Sequence, residues 1–119
     1  MYHLIYTSHA VSPLSQHELI DLLAESRTFN AANHITGMLL YLRGKFIQVL
    51  EGEKKVVTEL YERIQVDPRH EKVMTVIEGN SPIRFFKNWS MGFKQLTPDE
   101  FSHITSYKDI DRCFRKEGL

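Results

Sequence analysis

Apolar positions along this chain change period several times, and each change marks an element. His3 to Thr7 alternates, with Leu4 and Tyr6 on one face and Ile5 on the other, which predicts a strand. Ser12-Pro13-Leu14 reads as a turn. Ser15 and Glu18 have the spacing of a capping box, and Leu19, Leu22, Leu23 and Ser26 follow at helical spacing, so a helix is predicted from about Gln16 to about Thr28. Ile35 to Leu42 is mostly apolar, interrupted early by Thr36-Gly37. Arg43-Gly44 reads as a short hairpin turn into a second strand, Lys45 to Leu50, which Gly52 ends. Val57, Leu60, Tyr61 and Ile64 form the stripe of a second helix, stopped by Asp67-Pro68 because the residue before proline avoids helical dihedrals. The β-branched run from Val73 to Glu78 predicts a strand, Gly79 to Pro82 a turn, and Trp89 to Lys94 a short last strand. Thr97-Pro98-Asp99-Glu100 is a helix start. Phe101, Ile104, Tyr107, Ile110 and Phe114 suffice for one or two amphipathic helices.

The order β-α-β-β-α-β-β predicts an α+β fold, a ferredoxin-like βαββαβ core with an extra strand in a mixed sheet. Two helices would cover one sheet face. Residues 1–95 are expected to form the domain, and 96–119 a C-terminal helical extension packing on or near the sheet. No linker, internal repeat or low-complexity segment interrupts the chain.

Composition narrows the function. The 119 residues suit one domain with a modest core. Lys+Arg and Asp+Glu both total 15, and zero net charge argues against non-specific binding to nucleic acid or anionic membranes. No apolar stretch approaches the roughly 20 residues of a membrane span, and no signal-like leader precedes the first strand. The lone cysteine, Cys113, suits a reducing cytoplasm, where the protein is expected. The six histidines are scattered without metal-ligand spacing, so no metal site is expected. Common phosphate loops and the nucleophile elbow are missing.

Gln48 carries the chemical signal. It sits in the middle of Phe46-Ile47-Gln48-Val49-Leu50, a strand that reads as buried on both faces. Leaving its amide unpaired there would cost roughly 1–3 kcal/mol, so a polar partner must meet it. Tyr6 on the first strand would share its layer beneath the two helices. Asn30 is expected just past the first helix. Asp67, Arg69 and His70 bring a carboxylate, a guanidinium and an imidazole to the end of the second. Together they outline a slot for a flat heteroaromatic ligand with carbonyl and ring-nitrogen edges, which amides can read. Plainer readings stand beside this one: a core tyrosine at Tyr6, a helix cap at Asn30, a surface ion pair at Asp67 and Arg69, and core packing at Trp89 and Met91.

Five segments, in order and with matching spacing, resemble the BLUF domains, blue-light sensors that use a flavin. They are Leu4-Ile5-Tyr6-Thr7-Ser8, Ile35-Thr36-Gly37-Met38-Leu39, Phe46 to Gly52, Asp67-Pro68-Arg69-His70 and Trp89-Ser90-Met91. The resemblance implies a non-covalent flavin between the helices, FAD first, with FMN or riboflavin as alternatives. It implies that Tyr6 is the photoactive tyrosine and Gln48 the switching glutamine, and that Asn30, Asp67, Arg69 and His70 also bind the cofactor. It further implies that Trp89 and Met91, expected on the last strand, relay the signal. Phe29 departs from the pattern, because a polar residue commonly precedes the asparagine. No fused output segment is expected beyond the core. The resemblance therefore implies a short sensor, not an enzyme, acting on an unidentified protein partner in trans, with a homo-oligomer as one arrangement. An enzyme on the same scaffold, such as a small hydrolase or a flavin reductase, is the competing class. A ferredoxin-like RNA-binding module is the third, and the neutral charge argues against it.

Overall fold

The computed structural model describes residues 1–102. The elements are β1 (Tyr2–Ala10), α1 (Gln16–Ala32), β2 (Thr36–Leu42), β3 (Lys45–Gly52), α2 (Lys54–Gln65), β4 (His70–Asn80), β5 (Gly92–Gln95) and α3 (Pro98–Ser102). They form a five-stranded mixed sheet in the order β4-β1-β3-β2-β5, with only the β2–β5 pair parallel. This is the expected α+β, ferredoxin-like arrangement with an extra strand.

Local sequence signals account for most boundaries. Ser15 Oγ accepts from the Glu18 amide at 3.1 Å and the Glu18 carboxylate accepts from the Ser15 amide at 3.0 Å, completing the capping box of α1. Arg43 and Gly44 both adopt positive φ, 45° and 85°, which gives the two-residue hairpin turn a twist that suits β2 and β3. Thr97 and Glu100 repeat the box at α3, with amide contacts of 3.0 and 3.2 Å.

Three expectations change. The first helix runs on to Ala32, since nothing from Phe29 to Ala32 breaks it; it stops at Asn33, before His34 at φ 56°. Asn30 therefore lies in its last turn rather than beyond it. The fourth strand extends to Asn80 because β1 pairs with it along its whole length. The last strand begins only at Gly92, where Met38 to Tyr41 offer it an edge, so Trp89 and Met91 precede it. Of the apolar positions expected in terminal helices, Phe101 falls in α3; Ile104, Tyr107, Ile110, Phe114 and the tail's Cys113 lie outside the described residues.

Strand alternation divides the core in two. Leu4, Tyr6, Leu39, Phe46 and Leu50 face Leu19 and Leu23 of α1 and Val57 and Tyr61 of α2. Ile5, Met38, Leu40, Ile47 and Val49 point to the opposite face and pack with Phe86 and Leu96. Gly37 lets β2 approach β3 closely: a Cβ there would lie 1.9 Å from the Val49 carbonyl oxygen. The side chain of Gln48 thus belongs to the helical layer, between the sheet and the gap separating α1 from α2.

Candidate functional site

That gap is a slot of about 620 Å³, within the range of small-molecule sites. Its floor is Tyr6, Leu39, Phe46 and Gln48. Leu22, Phe29 and Asn30 of α1 form one wall, and Leu60 and Ile64 of α2 the other. Asp67, Pro68, Arg69 and His70 stand at its mouth. An adjoining hollow of about 430 Å³ shares Leu22, Phe46, Arg69 and His70 and reaches Val11 and Leu14 after β1. A flat ring can lie between the apolar walls, and a longer substituent can run along the second hollow.

The floor answers the question posed by a buried glutamine. Tyr6 and Gln48 are directly opposite in the β1–β3 register, so both side chains rise into the same layer. The Tyr6 hydroxyl donates to Gln48 Oε1. Gln48 Nε2 donates to the Met91 sulfur at 3.4 Å. A thioether is a weak acceptor, and an amide has two N–H donors and two acceptor lone pairs. Gln48 is thus partnered below its capacity, at the base of a slot able to admit a polar-edged ring. Burial, reinforced by Tyr61 and Asp67, pushes the Tyr6 phenol well above its ordinary range and keeps it protonated. The Tyr61 ring lies 5.2 Å away.

Asn30 is buried, lines the slot and donates through Nδ2 to the Ser90 carbonyl at 2.8 Å. One turn earlier, Arg27 Nε donates to the Met91 carbonyl at 2.9 Å. Sequence patterning did not single out Arg27, because an arginine on a helix looks solvent-facing until its target is known. Phe29 supplies an aromatic wall in place of a polar contact, and the Arg63 guanidinium sits 5.0 Å from its ring.

At the mouth, Asp67 accepts from the Arg69 amide at 2.9 Å and from its guanidinium at 2.7–3.2 Å. These bonds hold the Asp67 carboxyl below its usual range. Arg69 also reaches Glu25 of α1 at 3.0 Å, so it ties the α2–β4 turn to the opposite wall; Asp67, then Glu25, raise its pKa. Burial lowers the His70 pKa, with Arg69 acting the same way and Asp67 against it. The His70 ring packs 5.5 Å from Phe46, and its Nδ1 lies 3.3 Å from Ser8 Oγ. Met91 is buried in the helix-side core beside Gln48, whereas Trp89 is about one-third exposed, at 37%.

Tyr6, Asn30, Gln48, Asp67, Arg69 and His70 therefore converge on one slot, with Met91 against Gln48 at its edge and Trp89 outside. Apolar walls, an amide-bearing floor and a charged mouth fit a flat ring carrying one apolar edge and one edge of carbonyls and ring nitrogens. Among the described residues, no group of three or more His, Cys, Asp or Glu is placed to hold a metal ion, and no helix is long and apolar enough to cross a membrane.

Known proteins share this fold. The photoactivated adenylate cyclase subunit beta of Euglena gracilis is 45% identical over 73 residues, which are 61% of this chain and 8% of that one. The dark-state structure of BlrB, a BLUF protein, superposes with a TM-score of 0.80 at 28% identity, covering 96% of this chain and 92% of BlrB. A bacterial light-regulated adenylyl cyclase superposes with a TM-score of 0.75 at 31% identity, covering 99% of this chain and 33% of the cyclase. The family "BLUF: Sensors of blue-light using FAD" matches residues 1–92, and its cofactor suits the slot that Tyr6 and Gln48 floor: the chain belongs to the BLUF family of flavin-binding blue-light sensors.

Proposed function

We propose that light drives a proton-coupled electron transfer from Tyr6, that Gln48 rearranges in response, and that Met91 carries the change out of the slot. The contact series from the Tyr6 hydroxyl through the Gln48 amide to the Met91 sulfur carries this reading. Asn30, Asp67, Arg69 and His70 would hold the flavin from the helix end and the mouth. Bound flavin would supply a strong oxidant when excited by blue light, and its oxidised form afterwards.

The remaining steps belong to the chain. The Tyr6 phenol is held protonated by burial, so its electron and proton leave together rather than by prior ionisation. Its hydroxyl proton is already directed at Gln48 Oε1, which makes this amide the relay. A half-turn of the amide exchanges oxygen and nitrogen at nearly unchanged shape. It reverses what Gln48 offers to Tyr6, to Met91 and to the ring above. The electron and proton then return to Tyr6, and the altered amide orientation is the stored signal. Its bond to a flavin carbonyl would shift the absorption to the red. Met91 leads through Gly92 into β5, so the last strand and the C-terminal extension form the bistable element. In this reading 1–95 is the sensing domain, 96–119 a C-terminal extension, and the output is a protein partner in trans, with self-association as one form. The chain turns over no substrate.

The test is the absorption spectrum of flavin-loaded protein in the dark and after blue light. A small, reversible red-shift is expected. A stable flavin spectrum without the shift would favour a flavin enzyme instead.

A further inference from the structure

Glu51 is fully buried, at 0% exposure, on the face of β3 opposite Gln48. Three positions along a strand separate the two residues by about 10 Å. Each Glu51 oxygen is engaged twice. Oε1 accepts from Thr36 Oγ1 at 2.9 Å and the Phe86 amide at 2.9 Å. Oε2 accepts from the Phe85 amide at 2.7 Å and lies 2.9 Å from His3 Nε2. Arg84 secures the same place, donating to Thr36 Oγ1 at 2.8 Å, the Glu51 carbonyl at 3.1 Å and the His34 carbonyl at 2.7 Å.

Two of those donors are backbone amides of the segment between β4 and β5, which contains Trp89 and Met91. A hydrogen-bond chain continues from them. The Phe86 carbonyl accepts from the Trp89 amide at 3.0 Å, and the Trp89 carbonyl from the Gly37 amide at 3.0 Å. Met91 comes two residues later, with its sulfur on Gln48. Strand β3 thus grips one segment at both ends, with Glu51 on one face and Gln48 on the other.

We propose that Glu51 is a positioning residue: by fixing the Phe85–Phe86 end of this segment, it seats Met91 against the Gln48 amide. The effect on the photocycle rests on the reading of Gln48 as the switch; the seating of Met91 does not. A loosened anchor lets Met91 leave the amide, so Gln48 turns back against less resistance. Packing of Phe86 in the far-face core is the competing account, and it requires nothing of the carboxylate beyond stability.

The full chain, loaded with flavin and labelled with [¹³C]methyl-methionine, is compared as wild type, Glu51→Gln, Met91→Leu and the double variant. Met91→Leu assigns the Met91 methyl signal. In dark Glu51→Gln that signal is expected to broaden or split, and recovery from the light state to quicken at least about fivefold. In the Met91→Leu background, Glu51→Gln should change recovery by less than about twofold, because its effect passes through Met91. An unchanged Met91 signal overturns the proposal, as does an equal effect of Glu51→Gln in both backgrounds. If Glu51→Gln does not fold, Thr36→Val removes one donor from the anchor and is expected to act in the same direction by about twofold; no effect on the methyl signal overturns the proposal there too. Wild type without a light-induced shift would refute the photoreceptor reading, and the dark methyl signal would still decide whether Glu51 seats Met91.

Discussion

Gln48 and Glu51 are buried polar residues on opposite faces of one strand, and they are satisfied to opposite degrees. Both oxygens of Glu51 have two polar neighbours, with donors from β2 and the β4–β5 segment and His3 of β1 at 2.9 Å. Gln48 has one phenol and one weak thioether, and space above it. A saturated, buried carboxylate cannot move without breaking several bonds at once. An amide with spare capacity has a second orientation of similar energy. The same strand can therefore supply a fixed point and a switch, and the difference lies in partner number rather than in burial.

The largest effect should come from removing the fixed point. Glu51→Ala takes the acceptor from the Phe85 and Phe86 amides and from the Thr36 hydroxyl, and is expected to cost about 3–5 kcal/mol of unfolding free energy, read from denaturant midpoints. An effect below about 1 kcal/mol would mean that the two faces do not differ. Removing the switch should cost far less. Gln48→Leu deprives only Tyr6 of its acceptor beside an open slot, so about 1 kcal/mol is expected, with flavin retained and the native spectral shift lost. An unchanged shift would take Gln48 out of the mechanism. Tyr6→Phe removes a hydroxyl from an amide that already has spare capacity, and should alter stability by less than about 1 kcal/mol. It should keep the flavin and abolish the red-shift, and a normal photocycle would show that Tyr6 is not the donor.

The smallest effect is in pH, and each face contributes one histidine. Burial holds His3, beside Glu51, and His70, at the slot mouth, below their ordinary value. Both take up protons more readily when unfolded. Stability should therefore fall as pH drops through about 6.5 and level off once both folded-state pKa values are passed. Denaturant midpoints between about pH 7.5 and 5.5 measure this slope. His70→Gln should reduce it by the slot's share and leave that of His3. A slope unaltered by His70→Gln would place the whole effect on the Glu51 side.

Sequence and structure meet unevenly at these positions. Alternation along Leu4, Ile5 and Tyr6 and the helical stripes suffice to place Tyr6 and Gln48 in one layer. The Ser15 and Glu18 box and the Arg43-Gly44 turn locate their elements because both are local chemistry. Glu51 offers the same signal as Gln48, a polar side chain beside Val49-Leu50 in a strand reading as buried, but its position at the strand end makes it look like an exit to solvent. Arg27 offers no signal at all, since its acceptor, the Met91 carbonyl, lies 64 residues away.

The amino-acid sequence determined the order of elements, the two faces of each strand, the family and the presence of a buried amide needing a partner. Those properties depend on residue type at fixed local spacing. The tertiary structure decided the rest. It extended α1 to enclose Asn30, set the length of β4 by its pairing with β1, and delayed β5 until β2 offered an edge. It also chose a methionine sulfur for Gln48 and two distant amides for Glu51. Hydrogen-bond partners remote in sequence are fixed by packing, which brings them together only once the sheet has closed around them.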